Sequence, residues 1–451
     1  MNILNKIEKP YTLFLFVTFF TASLFDRSFI GLIFFGYRLG ELIVGLLLLQ
    51  AIVILILNKN SIKTFGFQEF INSIRTYKLI MLTFFISLIY FQTSLTSTYT
   101  YKVSSYIWVC SLFFFTYYLY KKSIFQNNYF SRFVYLYACI PVIHYVFSSG
   151  YYPNFIMDFF IKYSDKFTFT KASDIMVVMV VANIMLFNID KYKNYSLIYF
   201  SIIVPLLLPL LLEMSRGSFI GAASFFIMVI IFNFKYLIKF PKFAFILILI
   251  SGAVFILSTF RISGIDFNLS QSDEIIIDRS VSGNIAKIAK KNDTRKAFFS
   301  FYIEDGRIVS NDNTTDWRLD IWQDVIDDLK IKDSIISGYG YNEIIPVMTD
   351  PSAPGRLGRD GLNENVHSYI FNILARGGVV QLILFSAFHL SFIYSWVRKN
   401  NDYRLLLLMV PVFLNSATDM NMEGVQFPFI YYSFLGVYFK FNKNQLNKSS
   451  I

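Results

Sequence analysis

The chain has 451 residues, 55% of them hydrophobic and 19% aromatic, and a formal net charge of +11. Only 16% are charged, against about 25% in an average soluble domain, which excludes an ordinary soluble enzyme. Apolar runs near the ~20 residues needed to cross a ~30 Å hydrocarbon core recur from end to end. The basic surplus therefore points to membrane orientation and anionic head groups, and not to nucleic acid.

Twelve spans are predicted, at 11–28, 38–57, 79–98, 104–120, 133–149, 174–190, 196–213, 215–234, 243–260, 378–397, 404–417 and 427–440. The first apolar run is followed by many others, so it reads as a retained span and not a cleaved signal. Connections on one side carry 20 Lys/Arg, from Lys6 to Lys448. Those on the other side carry eight outside the long polar block, among them Arg27, Arg38, Lys171, Arg216 and Arg376. By the positive-inside rule both termini are expected in the cytoplasm. Cys110 and Cys139 lie within apolar runs with no metal-ligand or disulfide spacing, and are expected to pack between helices. Arg38 and Glu41 enter the second span three residues apart and are expected to pair. His144 and His389 fall inside spans, where a hydrogen-bonded packing role is expected.

One long polar segment interrupts the pattern, and the chain divides into 1–260, 261–366 and 367–451 around it. From Arg261 to Val366 there are 13 Lys/Arg and 18 Asp/Glu, a net of −5. Polar, irregular sequence in a membrane protein meets water or lines a cavity, so this block is expected on the outer face. Within it, Trp317, Ile321, Trp322, Val325, Ile326 and Leu329 recur at helical spacing, with Asp320, Asp324, Asp327 and Asp328 opposite. A Gly338-Tyr-Gly340 turn follows. A second helix is predicted from about His367, carrying Tyr369, Ile370, Ile373 and Leu374, with a bend at Gly377-Gly378 into the tenth span.

Three residues on that side could carry chemistry. Arg216, in Ser215-Arg216-Gly217-Ser218, lies at a helix start, where a guanidinium and the helix dipole together suit a phosphate. The alternative is a snorkelling side chain paired with Glu213. Arg318, beside Trp317 and Trp322, suits a diphosphate or a sugar stack. On spacing alone, a solvated ion pair with Asp320 or Asp316 fits it better. His367, where the block re-enters the membrane, has the chemistry of a general base near neutral pH. Lys171 and Asp174 open the sixth span on the same side.

Together these elements resemble the bacterial O-antigen ligase and O-antigen polymerase superfamily. Ser215-Arg216-Gly217 matches the family's Ser-Arg-Gly element after a span. Arg318 and Trp322 match its Arg and Trp in a large periplasmic loop, and Gly338 and Gly340 match its Gly-x-Gly turn. His367-Ser368 with Gly377-Gly378 matches its last element, and the likeness runs over roughly Ser196 to Lys440. Two positions depart from the ligases' pattern: Ile220 stands where they have Leu, and Gln381 where they have a small or hydroxyl residue.

The resemblance implies an all-α polytopic fold of about 12 transmembrane helices with one large periplasmic loop, similar to C-type membrane glycosyltransferases. It implies glycan transfer from undecaprenyl diphosphate to an acceptor sugar at the periplasmic face of the bacterial inner membrane. Arg216 and Arg318 would hold the diphosphate and His367 would be the base, with Ser215, Gly217, Trp322, Ser368 and Lys171 in support. No cofactor or metal is implied. The partners would be the lipid-linked oligosaccharide, the acceptor glycan, the bilayer and a chain-length regulator. A repeat-unit polymerase is the first expectation and a ligase to lipid A-core the rival. A transporter or flippase is the alternative of another class, although no matching halves and no midplane charges recommend it.

Overall fold

The computed structural model describes residues 2–94, 97–121, 127–166, 170–190, 193–263, 300–353, 356–357 and 364–439. Several basic residues used above for orientation (Lys122, Lys191, Lys440, Lys443 and Lys448) lie outside the described residues, as do 264–299 of the polar block.

The protein is a helical bundle. Among the described residues, nine helices are long and apolar enough to cross a membrane: Pro10–Ile30, Leu39–Ile56, Phe67–Tyr90, Phe130–Ser148, Ala172–Ile189, Asn194–Met214, Arg216–Lys239, Pro241–Ser263 and Tyr369–Asn400. The other three expected spans appear as shorter pieces. That at 104–120 is broken into Ser105–Val109 and Ser111–Lys121, and the last two become Leu406–Thr418 and Gln426–Tyr438, of 13 residues each. At 1.5 Å per residue a 13-residue helix is about 20 Å long, short of the hydrocarbon core. The α-helical part of the third span, Ile71–Tyr90, also lies eight residues earlier than expected. Hydropathy pushed the expected start past Arg75 and Lys78, but both are helical here, and Lys78 Nζ reaches the Leu57 carbonyl at 2.9 Å.

The Ala172–Ile189 helix sits at the centre, mostly apolar, with 83% of its length buried. Around it pack Ile140–Ser148, Asn194–Met214, Arg216–Lys239, Leu406–Thr418 and Gln426–Tyr438. Pro241–Ser263 is peripheral, only 11% buried, and its exposed Phe245, Ile248 and Leu257 are what a lipid-facing helix presents. Cys110 is buried as expected, but Cys139 is exposed. It falls where the helix pair Asn127–Tyr137 and Ile140–Ser148 breaks ahead of Pro141, on the outward side of the bundle.

The polar block has its own small core. Ile321, Val325 and Leu329 of the Asn313–Ile331 helix bury against Ile345, Val347, Met348, Val366 and Ala375. Two carboxylates of the helix's acidic face are clamped by arginines. Arg307, from the hairpin Phe301–Glu304/Arg307–Ser310, reaches Asp320 at 2.8 Å and Asp324 at 2.7 Å. Buried Arg356 reaches the same two carboxylates and the Val347 carbonyl. This hairpin and another at Ile33–Arg38 are the strands found among the described residues.

The block is fastened to the bundle at the expected bend. Tyr369–Asn400 is one helix broken at Gly378, with φ 66° and ψ −171°, a region that glycine alone occupies readily. A Cβ there would overlap the Ile336 carbonyl. Gly338 and Gly340 also take positive φ, and the Tyr339 and Gly340 amides donate to the Ala375 and Arg376 carbonyls at 2.7 and 3.0 Å. Gly378→Ala is therefore expected to destabilise the protein by about 1–3 kcal/mol. Thermal unfolding of the purified variant should show a lowered midpoint, and an unchanged midpoint would contradict this packing.

Candidate functional site

The Arg216–Lys239 helix begins at Ser215, whose Oγ accepts from the Ser218 amide at 3.4 Å. Arg216 is thus the first helical residue, with the positive end of the helix dipole behind it. Gly217 lies so close to Thr418 that a Cβ would overlap its Oγ1. This contact sets the start of that helix against the end of Leu406–Thr418. The Arg216 guanidinium does not pair with Glu213. It grips both carboxylate oxygens of Asp312 in the block, with Nη2 to Oδ1 at 2.7 Å. Asp312 is the N-cap of Asn313–Ile331 and also accepts from the Thr315 amide and hydroxyl at 2.9 and 2.7 Å. Burial alone would raise its pKa, but Arg216 and Thr315 outweigh burial and hold it below the usual range.

Arg318, one turn and a half further on, pairs with neither Asp316 nor Asp320. Its Nη1 donates to the Thr418 carbonyl at 2.6 Å, while its Nε is buried without a hydrogen-bond partner. No carboxylate among the described residues is within ion-pair distance of it. The residue after Thr418 is Asp419, whose Oδ1 accepts from the Met420 amide at 2.8 Å and whose Oδ2 lies 3.1 Å from Lys171 Nζ. Burial raises the Asp419 pKa, but Lys171 and Arg318 bring the balance below the usual value, so it is a carboxylate.

His367 is not in the first turn of the re-entry helix. It stands just before the N-cap Ser368, in the left-handed region at φ 56°. Ser368 caps the helix by accepting from the Phe371 amide. Trp322 donates from Nε1 to the Val366 carbonyl at 2.7 Å and stacks on Phe371 at 5.0 Å, so it holds the chain on both sides of His367. The Trp317 ring lies 4.9 Å from the imidazole. His367 Nε2 is buried and has no hydrogen-bond partner. Burial first, and then the nearby Arg318 and Lys171, push its pKa down to about 4, with Asp419 opposing. The imidazole is therefore neutral at pH 7.

Arg216, Arg318, His367 and Lys171, from four separate stretches of sequence, thus come together around Thr418 and Asp419. Two further acidic side chains of this region were not singled out from sequence. Asp419 is one. Glu423 is the other: with the Asn365 amide nitrogen turned towards it, the carboxylate accepts at 2.9 and 3.2 Å, two residues before His367. Burial raises its pKa to about 7. The signal was available, since Asp419 and Glu423 are the only acidic residues between Leu405 and Phe439. The other expected details hold: Arg38 and Glu41 pair at 3.8 Å, and His389 bonds the Phe385 carbonyl and the Tyr432 hydroxyl at 2.8 and 2.9 Å. A groove of about 900 Å³ lined by Tyr135, Cys139, Leu186 and Tyr199 is not lined by any of these site residues.

Residues 200–386 match the family model described as O-antigen ligase. This match supports, for that stretch of the chain, the O-antigen ligase and polymerase superfamily. The matched stretch includes Arg216, Arg318, His367 and the Gly377-Gly378 bend, and stops before Asp419 and Glu423. No curated protein matches the chain. The match is consistent with ligase- or polymerase-type function in general, and the apolar helices with a multi-pass membrane protein. In this chain, Gln381, at one of the two positions that depart from the ligases' pattern, is buried and accepts from Tyr341 and Tyr106 at 2.7 and 3.2 Å. It ties the helix below the bend to Ser105–Val109, a tether a shorter side chain could not make.

Proposed function

We propose that the protein polymerises O-antigen or related surface-polysaccharide repeat units. In this reading it works at the periplasmic face of the bacterial inner membrane, with both termini cytoplasmic. The growing glycan leaves undecaprenyl diphosphate and joins an acceptor sugar. The observation that carries the reading is the pairing of unused groups: Arg318 presents an unpartnered Nε and His367 an unpartnered Nε2 at the same place. A leaving diphosphate develops negative charge, and fixed guanidiniums stabilise it without reorganising. Arg318 offers that charge with no carboxylate of the described residues in ion-pair contact, and Arg216 adds a second fork now held by Asp312. The two arginines would take the part that a divalent cation plays elsewhere.

On the acceptor side, neutral His367 would take the hydroxyl proton as the glycosidic bond forms. The resulting imidazolium would be offset by Asp419, which Lys171 orients. Trp317, beside the imidazole, would form an apolar platform for a sugar face. The bond to the diphosphate oxygen breaks, and that oxygen keeps the electron pair.

The ligase, which moves finished polymer to lipid A-core, remains the rival because the matched family model is described as O-antigen ligase. A deletion strain separates the two. Loss of a polymerase leaves core capped with a single repeat unit. Polymer stranded on its lipid carrier would instead make this protein the ligase.

A further inference from the structure

A second polar cluster lies one helical turn into the bundle and takes no part in the proposed transfer. Asp26 and Asp174, near the ends of Pro10–Ile30 and Ala172–Ile189, are 1% and 2% exposed. Ionisable groups inside membrane helices are expensive and mark functional positions. The backbone is broken to hold one of them: Asp26 has φ 52° and ψ −137° inside its helix, a conformation that favours glycine. Gln426, 4% exposed at the start of Gln426–Tyr438, donates from Nε2 to Asp26 Oδ1 at 3.2 Å and lies against Asp174 as well. Three buried oxygens then have no donor: Asp26 Oδ2, Asp174 Oδ2 and Gln426 Oε1. The nearest imidazole does not supply one. His144 Nε2 is 3.9 Å from Asp26 Oδ1 and closer, at 3.3 Å, to the Leu24 carbonyl.

We propose that Asp26, Asp174 and Gln426 bind one dehydrated monovalent cation of sodium size. Oxygen-only donors are the set a hard cation takes. Two carboxylates with an amide, within electrostatic reach of Arg27 and Lys171, supply too little net negative charge for a divalent ion. Among the described residues no group of three or more His, Cys, Asp and Glu is arranged to hold a metal. The cation would pin three helices together directly behind Lys171, the N-cap residue of Ala172–Ile189, whose amine holds Asp419. It is thus a structural site supporting the position of Lys171. The inference stands on this geometry alone and does not depend on which glycan reaction the protein performs.

The purified full-length protein in detergent, at constant ionic strength and pH 7.5, provides the test. Sodium chloride should raise the unfolding midpoint by several degrees over choline chloride, saturably, with potassium less effective. Radioactive sodium should be retained at about one ion per chain. Asp174→Asn should remove both effects, and Gln426→Leu should weaken binding if the Asn variant fails to fold. Equal midpoints in sodium and choline with no retained sodium would overturn the proposal, leaving the oxygens to protons or water. A shift with magnesium or calcium in place of sodium would overturn the monovalent class.

Discussion

Arg216→Ala is expected to lower glycan transfer by about 10²–10³-fold, the loss typical of removing one preorganised donor from a charge-stabilising site. The reason is local. Arg216 is the first residue of a 24-residue helix, so both its guanidinium and the helix dipole face the same point. Its grip on Asp312 is two-pronged, and a diphosphate oxygen pair can replace a carboxylate in that fork. Arg216→Lys should recover only part of the activity, since an ammonium is a point charge without the planar fork. The alanine gives up the contact with Asp312, but Asp312 keeps the Thr315 amide and hydroxyl and the Arg216 side chain is 43% exposed, so membrane insertion should be preserved. The measurement is chain length in membranes alongside the amount of inserted protein. Normal chains from an Arg216→Ala strain would remove this residue from the site.

His367→Ala is expected to cost about 10²–10⁴-fold, the usual contribution of a general base. The wild type should also show an unusual pH profile. The folded imidazole has its pKa lowered to about 4 by burial and by Arg318 and Lys171, against ~6.5 for a free histidine. A lowered pKa means that the neutral form persists as pH falls through 6.5. The limb of kcat/KM due to His367 should therefore appear near pH 4. The same sign applies to stability. Between about pH 6.5 and 4 the unfolded chain binds a proton that the folded chain refuses, so stability falls as pH drops through that window. A limb at 6.5 that vanishes in His367→Gln would show the imidazole to be solvated, contrary to its buried, unpartnered Nε2. Normal chain lengths from His367→Ala would exclude it as the base.

The route from residues to site was partly legible. Helical spacing located Ile321, Val325 and Leu329 on one buried face, and the glycine pair marked the bend at Gly378. These are local properties, since periodicity and positive φ are written in neighbouring residues. The broken fourth span was not legible. Its residues from 104 to 120 carry no charge, and the turns at Ser104 and Cys110 follow from packing, with Ser104 Oγ accepting from the Trp108 indole at 2.9 Å. Hydropathy measures how oily a run is, not whether it stays helical to its end.

The sequence by itself determined that the protein is a multi-pass helical membrane protein with one polar block, and which family it resembles. Hydrophobic run length and charge sidedness suffice for the first, and the order of a few spaced motifs for the second. Only the tertiary structure decided what the candidate side chains touch. Sequence neighbours competed for both arginines, as Glu213 for Arg216 and Asp316 or Asp320 for Arg318. In the fold, Arg216 pairs with Asp312, 96 residues away, and Arg318 with the Thr418 carbonyl, 100 residues away. Asp419 became part of the site only because Gly217 admits Thr418 against the helix start. Such pairings depend on which helix ends meet, and that is set by packing across the whole bundle, where local spacing carries no information.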